Sequence, residues 1–179
     1  MVCQGFGGGP SSSWAESMSD SAPPDPPKRG RPIHQLPMGR GNRALIIFLT
    51  VCTRDRQRVL ASPEMHQALL GVWGEAQHWL VGRYVILPDH IHLFCAPGTY
   101  PPHPLLNWVR YWKSRAAKSV GCGAATLWQK NFWDIQLRHH ESYSAKWEYV
   151  RRNPVRHGLV READEWPFKG EPNILGWHE

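Results

Sequence analysis

"VILPDHIHLFCAPG", residues 85–98, places two histidines one residue apart inside an apolar run. The segments on either side of Pro88-Asp89 read as strands, "RYVILP" (83–88) and "HIHLFCA" (90–96). Proline followed by aspartate makes a tight break, so the pair predicts a hairpin. Successive side chains in a strand point to opposite faces. His90 and His92 therefore share one face, and Ile91 points to the other. A buried imidazole needs a partner. It finds one in ordinary hydrogen bonds or in a metal ion held jointly by the two rings.

Working outward, "ALIIFLTVCT" (44–53) is a continuous apolar, β-branched run, as expected of a strand buried on both faces. Ser62-Pro63 opens a helix, with serine as the cap and proline in the first turn. Met65, Leu69, Val72, Ala76 and Trp79 then mark its apolar face. A second helix starts at Leu105 with the stripe Leu105, Trp108, Val109, Trp112 and Ala116. "LWQKNFWDIQLR" (127–138) alternates as a fourth strand. Residues 142–160 read as a last helix with Gly158 as its stop, and Trp166 and Trp177 anchor the tail. The order β-α-β-β-α-β-α predicts an α+β fold. Its first six elements form a ferredoxin-like antiparallel sheet, and an additional C-terminal helix carries a tyrosine. Two helices would cover one sheet face, leaving the other open to a ligand with the last helix beside it.

Residues 1–41 differ in kind. Gly, Ser and Pro dominate, and such a segment buries too little apolar surface to offset chain entropy. We read 1–41 as a disordered tail and 42–179 as the working domain. The four cysteines form no CxxC pair, and neither a signal peptide nor a membrane-length apolar run is present. A cytoplasmic, nucleoid-associated protein is the expectation.

The 179-residue chain carries a formal net charge of +6. Its second half concentrates the basic residues: Arg110, Lys113, Arg115 and Lys118 on the second helix, then Arg151, Arg152 and Arg156. A nucleic-acid partner accounts for that asymmetry, as does a merely solvated basic face. On the last helix, Tyr149 and Asn153 are four residues apart and share a face, although Pro154 forces the helix to end or kink near Asn153. Asn153 offers a carbonyl oxygen as a third metal ligand. Tyr149 offers a phenol, or simply a ring packed on the core.

Together these residues resemble a known family. "ILPDHIHLF" is similar to the histidine–hydrophobe–histidine (HUH) motif of single-strand DNA transposases. "YVRRNPVRHGLV" resembles the tyrosine-helix signature of the REP-associated tyrosine transposases, with "WQKNFWD" between them. The resemblance covers most of residues 42–170. It implies that His90 and His92 hold a divalent ion, Mg2+ or Mn2+, that Asn153 completes the metal site, and that Tyr149 is the nucleophile. The activity it implies is a metal-dependent single-strand DNA endonuclease and strand transferase that cuts hairpin or repetitive DNA through a 5′-phosphotyrosine. The partner would be single-stranded or hairpin DNA, met by a monomer or homodimer.

Three other functions compete with this one. A domesticated relative would bind hairpins without cutting, and a metal phosphodiesterase would use water and leave no covalent adduct. A structural protein with incidental histidines would show no metal-dependent change in thermal stability.

Overall fold

The computed structural model describes residues 45–137 and 143–176. The proposed tail, 1–41, and Trp177 lie outside them. The elements run β1 (Ile47–Cys52), α1 (Pro63–Glu75), β2 (Trp79–Ile86), β3 (His90–Pro97), α2 (Leu105–Ser119), α3 (Ala124–Leu127), β4 (Trp133–Gln136), α4 (Tyr143–Arg151), α5 (Asn153–Arg156) and β5 (Lys169–Gly170). They build an antiparallel sheet in the order β4-β1-β3-β2-β5. The first four strands have the ferredoxin-like arrangement the sequence predicts. The two-residue β5, which hydrogen-bonds to β2, has no periodic signature in the tail.

The local signals act as their chemistry suggests. Ser62 caps α1 by accepting from the Met65 amide at 3.2 Å, with Pro63 in the first turn. The α2 stripe is buried throughout, and Ile91, Ile47, Leu49 and Val51 meet it from the sheet. Tryptophans fill much of this layer. The indole N–H of Trp79 donates to the His103 carbonyl, that of Trp108 to Ala76 and that of Trp128 to Lys113. Those bonds remove most of the penalty of burying a polar indole nitrogen.

Three expectations need correction. α1 ends at Glu75, so Trp79 opens β2 rather than closing the helix face, and that strand begins before residue 83. The fourth strand is shorter than residues 127–138. Leu127 ends the helical turn α3, and Trp128 makes only an isolated bridge to Thr53 before β4 proper. The alternation at 127–132 reflects Leu127, Trp128 and Phe132 entering the core rather than a continuous ladder. The second sheet face is also not fully open. Ile46, Val85, Leu87 and Phe94 lie there and are covered by Tyr143 and Val150 of α4 and by Trp166 and Leu175 of the tail. A β1 run apolar on both faces requires cover on both.

Pro154 breaks the last helix as expected. α4 stops at Arg151, Arg152 has a φ of −85° and ψ of −2°, and α5 resumes at Asn153. Gly158 then ends the segment in the left-handed region at φ 65°, with the Leu159 amide returning to the Pro154 carbonyl at 2.9 Å. A Cβ at Gly158 meets no atom within 4 Å, so only backbone strain opposes one. Gly158→Ala is expected to cost about 1–2 kcal/mol, read as a lower urea midpoint at unchanged slope.

Candidate active site

The turn before β3 is fixed from three directions. The Thr53 amide and hydroxyl both donate to the Asp89 carbonyl, at 2.9 and 3.0 Å, and the Leu60 amide donates to the Pro88 carbonyl at 2.8 Å. This sets the Asp89 side chain beside His90. Antiparallel pairing then places His90 opposite Cys52 and His92 opposite Thr50. The two imidazoles share one face, with ring centroids 4.7 Å apart and planes at 84°. Ile91 points into the helix-covered core as expected.

Each ring is held through Nδ1. The His90 Nδ1 lies 2.7 Å from Asp89 Oδ1, and the other carboxylate oxygen of Asp89 pairs with Arg56 at 3.2 Å. A carboxylate only accepts, so a proton sits on His90 Nδ1, and in the neutral form of this ring Nε2 carries the lone pair. The His92 Nδ1 lies 2.9 Å from the Thr50 hydroxyl, while Phe48 stacks on the ring at 5.4 Å. Burial, followed by the neighbouring charges of His90, His157 and Arg56, pushes the His92 pKa down to about 3, so this ring is neutral at neutral pH. Partial burial raises the Asp89 pKa. The hydrogen bond and charge of His90, with Arg56, outweigh that effect and bring it to about 2. Two oriented imidazoles, each engaged through Nδ1, form a donor set that fits a divalent ion in the tautomers with an unprotonated Nε2, and the carboxylate behind His90 is the usual support for such a ligand. Among the described residues, no group of three or more His, Cys, Asp and Glu is arranged to hold a metal. A further ligand from the described residues would therefore be of another type, and an amide carbonyl suits.

Tyr149, Asn153 and Arg156 form a second group on α4 and α5. Tyr149 is 66% exposed. The Arg156 guanidinium lies 3.8 Å over its ring, donates to the Tyr149 carbonyl, and reaches Asn153 Oδ1 at 2.9 Å. Asn153 is buried, with its side-chain carbonyl turned to this arginine. Glu148, Tyr149, Arg152 and Arg156 line a shallow pocket of about 310 Å³. His157 links the two groups. Its amide donates to the Asn153 carbonyl at 2.9 Å, and its ring sits edge-on to His90 at 6.0 Å. The end of the tyrosine-bearing segment thus abuts the histidine pair.

The basic residues separate by location. The Arg152 side chain is exposed and forms no hydrogen bond or ion pair among the described residues. Arg151 is bound to Glu148 at 2.7 Å and to Asp164 at 3.1 Å. Arg110, Arg115 and Lys118 are exposed on α2, a helix that covers the opposite sheet face from the histidines. Lys113 is buried and donates to the Gln129 carbonyl, so its charge is drawn into the fold rather than presented to a partner.

Three features of the site were missed in the sequence: the Asp89 carboxylate, the Thr50 hydroxyl and His157. His157 had a signal, since it stands four residues after Asn153 on the same helical repeat. Asp89 was hidden by its role in the turn, and Thr50 becomes a partner only through strand register.

The fold and site together describe a ferredoxin-like sheet bearing a same-face histidine pair, with a tyrosine on the helix that follows. The likeness in sequence and in fold is to the REP-associated tyrosine transposases. The chain is 27% identical over 124 residues to the REP-associated tyrosine transposase of Escherichia coli strain K12, covering 68% of this chain and 73% of that one. A Haemophilus influenzae protein assigned to the same kind is 22% identical over 137 residues, covering 69% and 77%. Among solved structures, a REP-associated tyrosine transposase bound to a REP hairpin matches with a TM-score of 0.60 at 25% identity, over 71% of this chain and 76% of that one. No protein-family model matches the chain.

Proposed function

We propose that this chain is a transposase-like enzyme that cuts and rejoins single-stranded DNA beside a hairpin, through a covalent link to Tyr149. The observation that carries the reading is the pair of same-face imidazoles of His90 and His92, each held through Nδ1, against which the tyrosine-bearing segment ends at His157. The relatives' likeness supports the DNA-hairpin part of it.

His90 and His92 would hold a divalent ion, with Asn153 contributing its carbonyl oxygen. That oxygen has a second lone pair beyond the one Arg156 uses. Imidazole donors favour Mn2+ over Mg2+, which prefers an all-oxygen shell. Such an ion supplies charge neutralisation at a non-bridging phosphate oxygen. Tyr149 Oη forms the new bond to phosphorus, the bond from phosphorus to the 3′ oxygen breaks, and that oxygen takes up a proton as the phenol loses one. The product is a 5′-phosphotyrosine and a free 3′-hydroxyl, so attack by another 3′ end reverses the step and joins strands. Arg156 braces the tyrosine's backbone and ring, and Arg152 supplies a free charge for the DNA backbone. Arg110, Arg115 and Lys118 would meet DNA only where it wraps to the α2 side, and Lys113 drops out of the interface.

The testing experiment is incubation with a hairpin oligonucleotide bearing an unpaired flank, with Mn2+, followed by a denaturing gel. A shifted protein band that requires the metal supports the reading, and cutting without any adduct overturns it. The pairing of Arg151 yields a separate expectation. Arg152→Ala should weaken DNA binding and lower the log–log salt slope by about 0.7, the value for one single-strand phosphate contact. Arg151→Ala, already neutralised by Glu148 and Asp164, should leave the slope nearly unchanged. Affinities measured from low to high salt check both.

A further inference from the structure

Of the tryptophans among the described residues, Trp133 alone is exposed, at 37%. It stands on β4, an outer strand of the sheet among the described residues. Register decides which way it faces. Trp133 pairs with Thr50 and Thr50 pairs with His92, so all three point to the same face. The indole lies two strands from the His92 ring, about 10 Å at the usual strand spacing. The next row on this face is Phe94, Phe48 and Ile135, and Ile135 is 48% exposed. Lys146 of α4 holds its ammonium 5.5 Å from the centre of the Phe48 ring on the same side.

An exposed indole and an exposed isoleucine form a small apolar shelf on the histidine face, with the Lys146 ammonium over Phe48 on the neighbouring strand. The shelf is much smaller than the roughly 800 Å² per partner of a stable protein interface. β4 is only four residues long, a poor template for adding a strand from a second copy. A flat exposed aromatic face with a cation on the neighbouring strand is instead the arrangement that receives an unpaired base while its phosphate meets the charge. We propose that Trp133, flanked by Ile135, is a stacking platform for an unpaired base within a few nucleotides of the scissile phosphate. The platform rests on the proposed DNA function and adds to it where the unpaired flank binds.

The test is abasic scanning. A hairpin oligonucleotide with an unpaired flank is prepared with each flank base removed in turn, and affinities are measured in EDTA for the wild type, Trp133→Ala and Trp133→Phe. In the wild type, one or two abasic positions should lose roughly ten-fold in affinity, whichever base is normal there, as for stacking on an aromatic ring. Trp133→Ala should show that loss with the intact flank and no further penalty at those positions, whereas Trp133→Phe should recover most of it. Unchanged abasic penalties in Trp133→Ala would overturn the proposal. So would a change of oligomeric state by sedimentation with DNA affinity unaltered, which would assign the edge to a protein contact. Thermal melts of the three proteins separate misfolding from lost stacking, and Trp133→Phe keeps the aromatic face if the alanine variant is unstable. The two readings fail separately: a normal adduct with Trp133→Ala indistinguishable from wild type removes only the platform. A metal-independent, adduct-free wild type with intact abasic penalties removes only the cutting.

Discussion

Tyr149→Phe is expected to abolish the covalent protein–DNA adduct while leaving the fold and most of the DNA affinity intact. The hydroxyl is the only group it removes, and that hydroxyl makes no hydrogen bond among the described residues. The ring is 66% exposed, so the stability change should stay within about 0.5 kcal/mol. Arg156 stacks on the ring and bonds to the residue's backbone carbonyl, and both contacts survive in phenylalanine. Removing a nucleophile elsewhere costs several orders of magnitude in turnover, so the adduct should fall by at least about a thousand-fold. Gel quantification of the adduct, with a urea titration as the folding control, measures both halves. Full cutting activity in Tyr149→Phe would favour a water-using phosphodiesterase.

The second large effect belongs to the histidines. His90→Ala and His92→Ala should each eliminate the rise in melting temperature on adding Mn2+. At a hundred-fold excess over the dissociation constant, binding adds about 2.7 kcal/mol, or roughly 5–10 °C for a domain of this size. Cleavage should fall by about a hundred-fold or more, since charge neutralisation at the phosphate is worth several kcal/mol. DNA affinity should change only a few-fold, because Arg152 and the stacking residues remain. Asp89→Asn discriminates further: it leaves both imidazoles in place but replaces the carboxylate that orients His90 and should weaken the metal-induced stabilisation partially. If either alanine variant keeps both the metal-dependent melt and the cleavage rate, the pair is structural.

The elements that the sequence revealed are those with local causes. The β2–β3 hairpin is announced by Pro88-Asp89, the start of α1 by Ser62-Pro63, the α2 stripe by its spacing, and the break of the last helix by Pro154. The shared face of His90 and His92 follows from strand alternation alone. What the sequence concealed depends on residues brought together across the chain. Thr50 supports His92 only through β1–β3 register, and His157 reaches His90 only because α5 abuts the sheet. Lys113 illustrates the opposite failure. A lysine on a basic helix reads as a surface charge, but its place beside Trp112 on the packed side turns it inward, where the Gln129 carbonyl accepts from it. The cover over the second sheet face was written in "ALIIFLTVCT", whose apolar residues on both faces exclude a bare one.

The most direct test of the central claim is to locate the attachment point. The wild-type protein is incubated with Mn2+ and a hairpin oligonucleotide carrying an unpaired flank. The adduct is then digested with trypsin and nuclease and mapped by mass spectrometry. The expected product is a nucleotide remnant linked through phosphate to the peptide containing Tyr149. A remnant on Tyr111 or Tyr143, or cleaved DNA with no modified peptide, would contradict it.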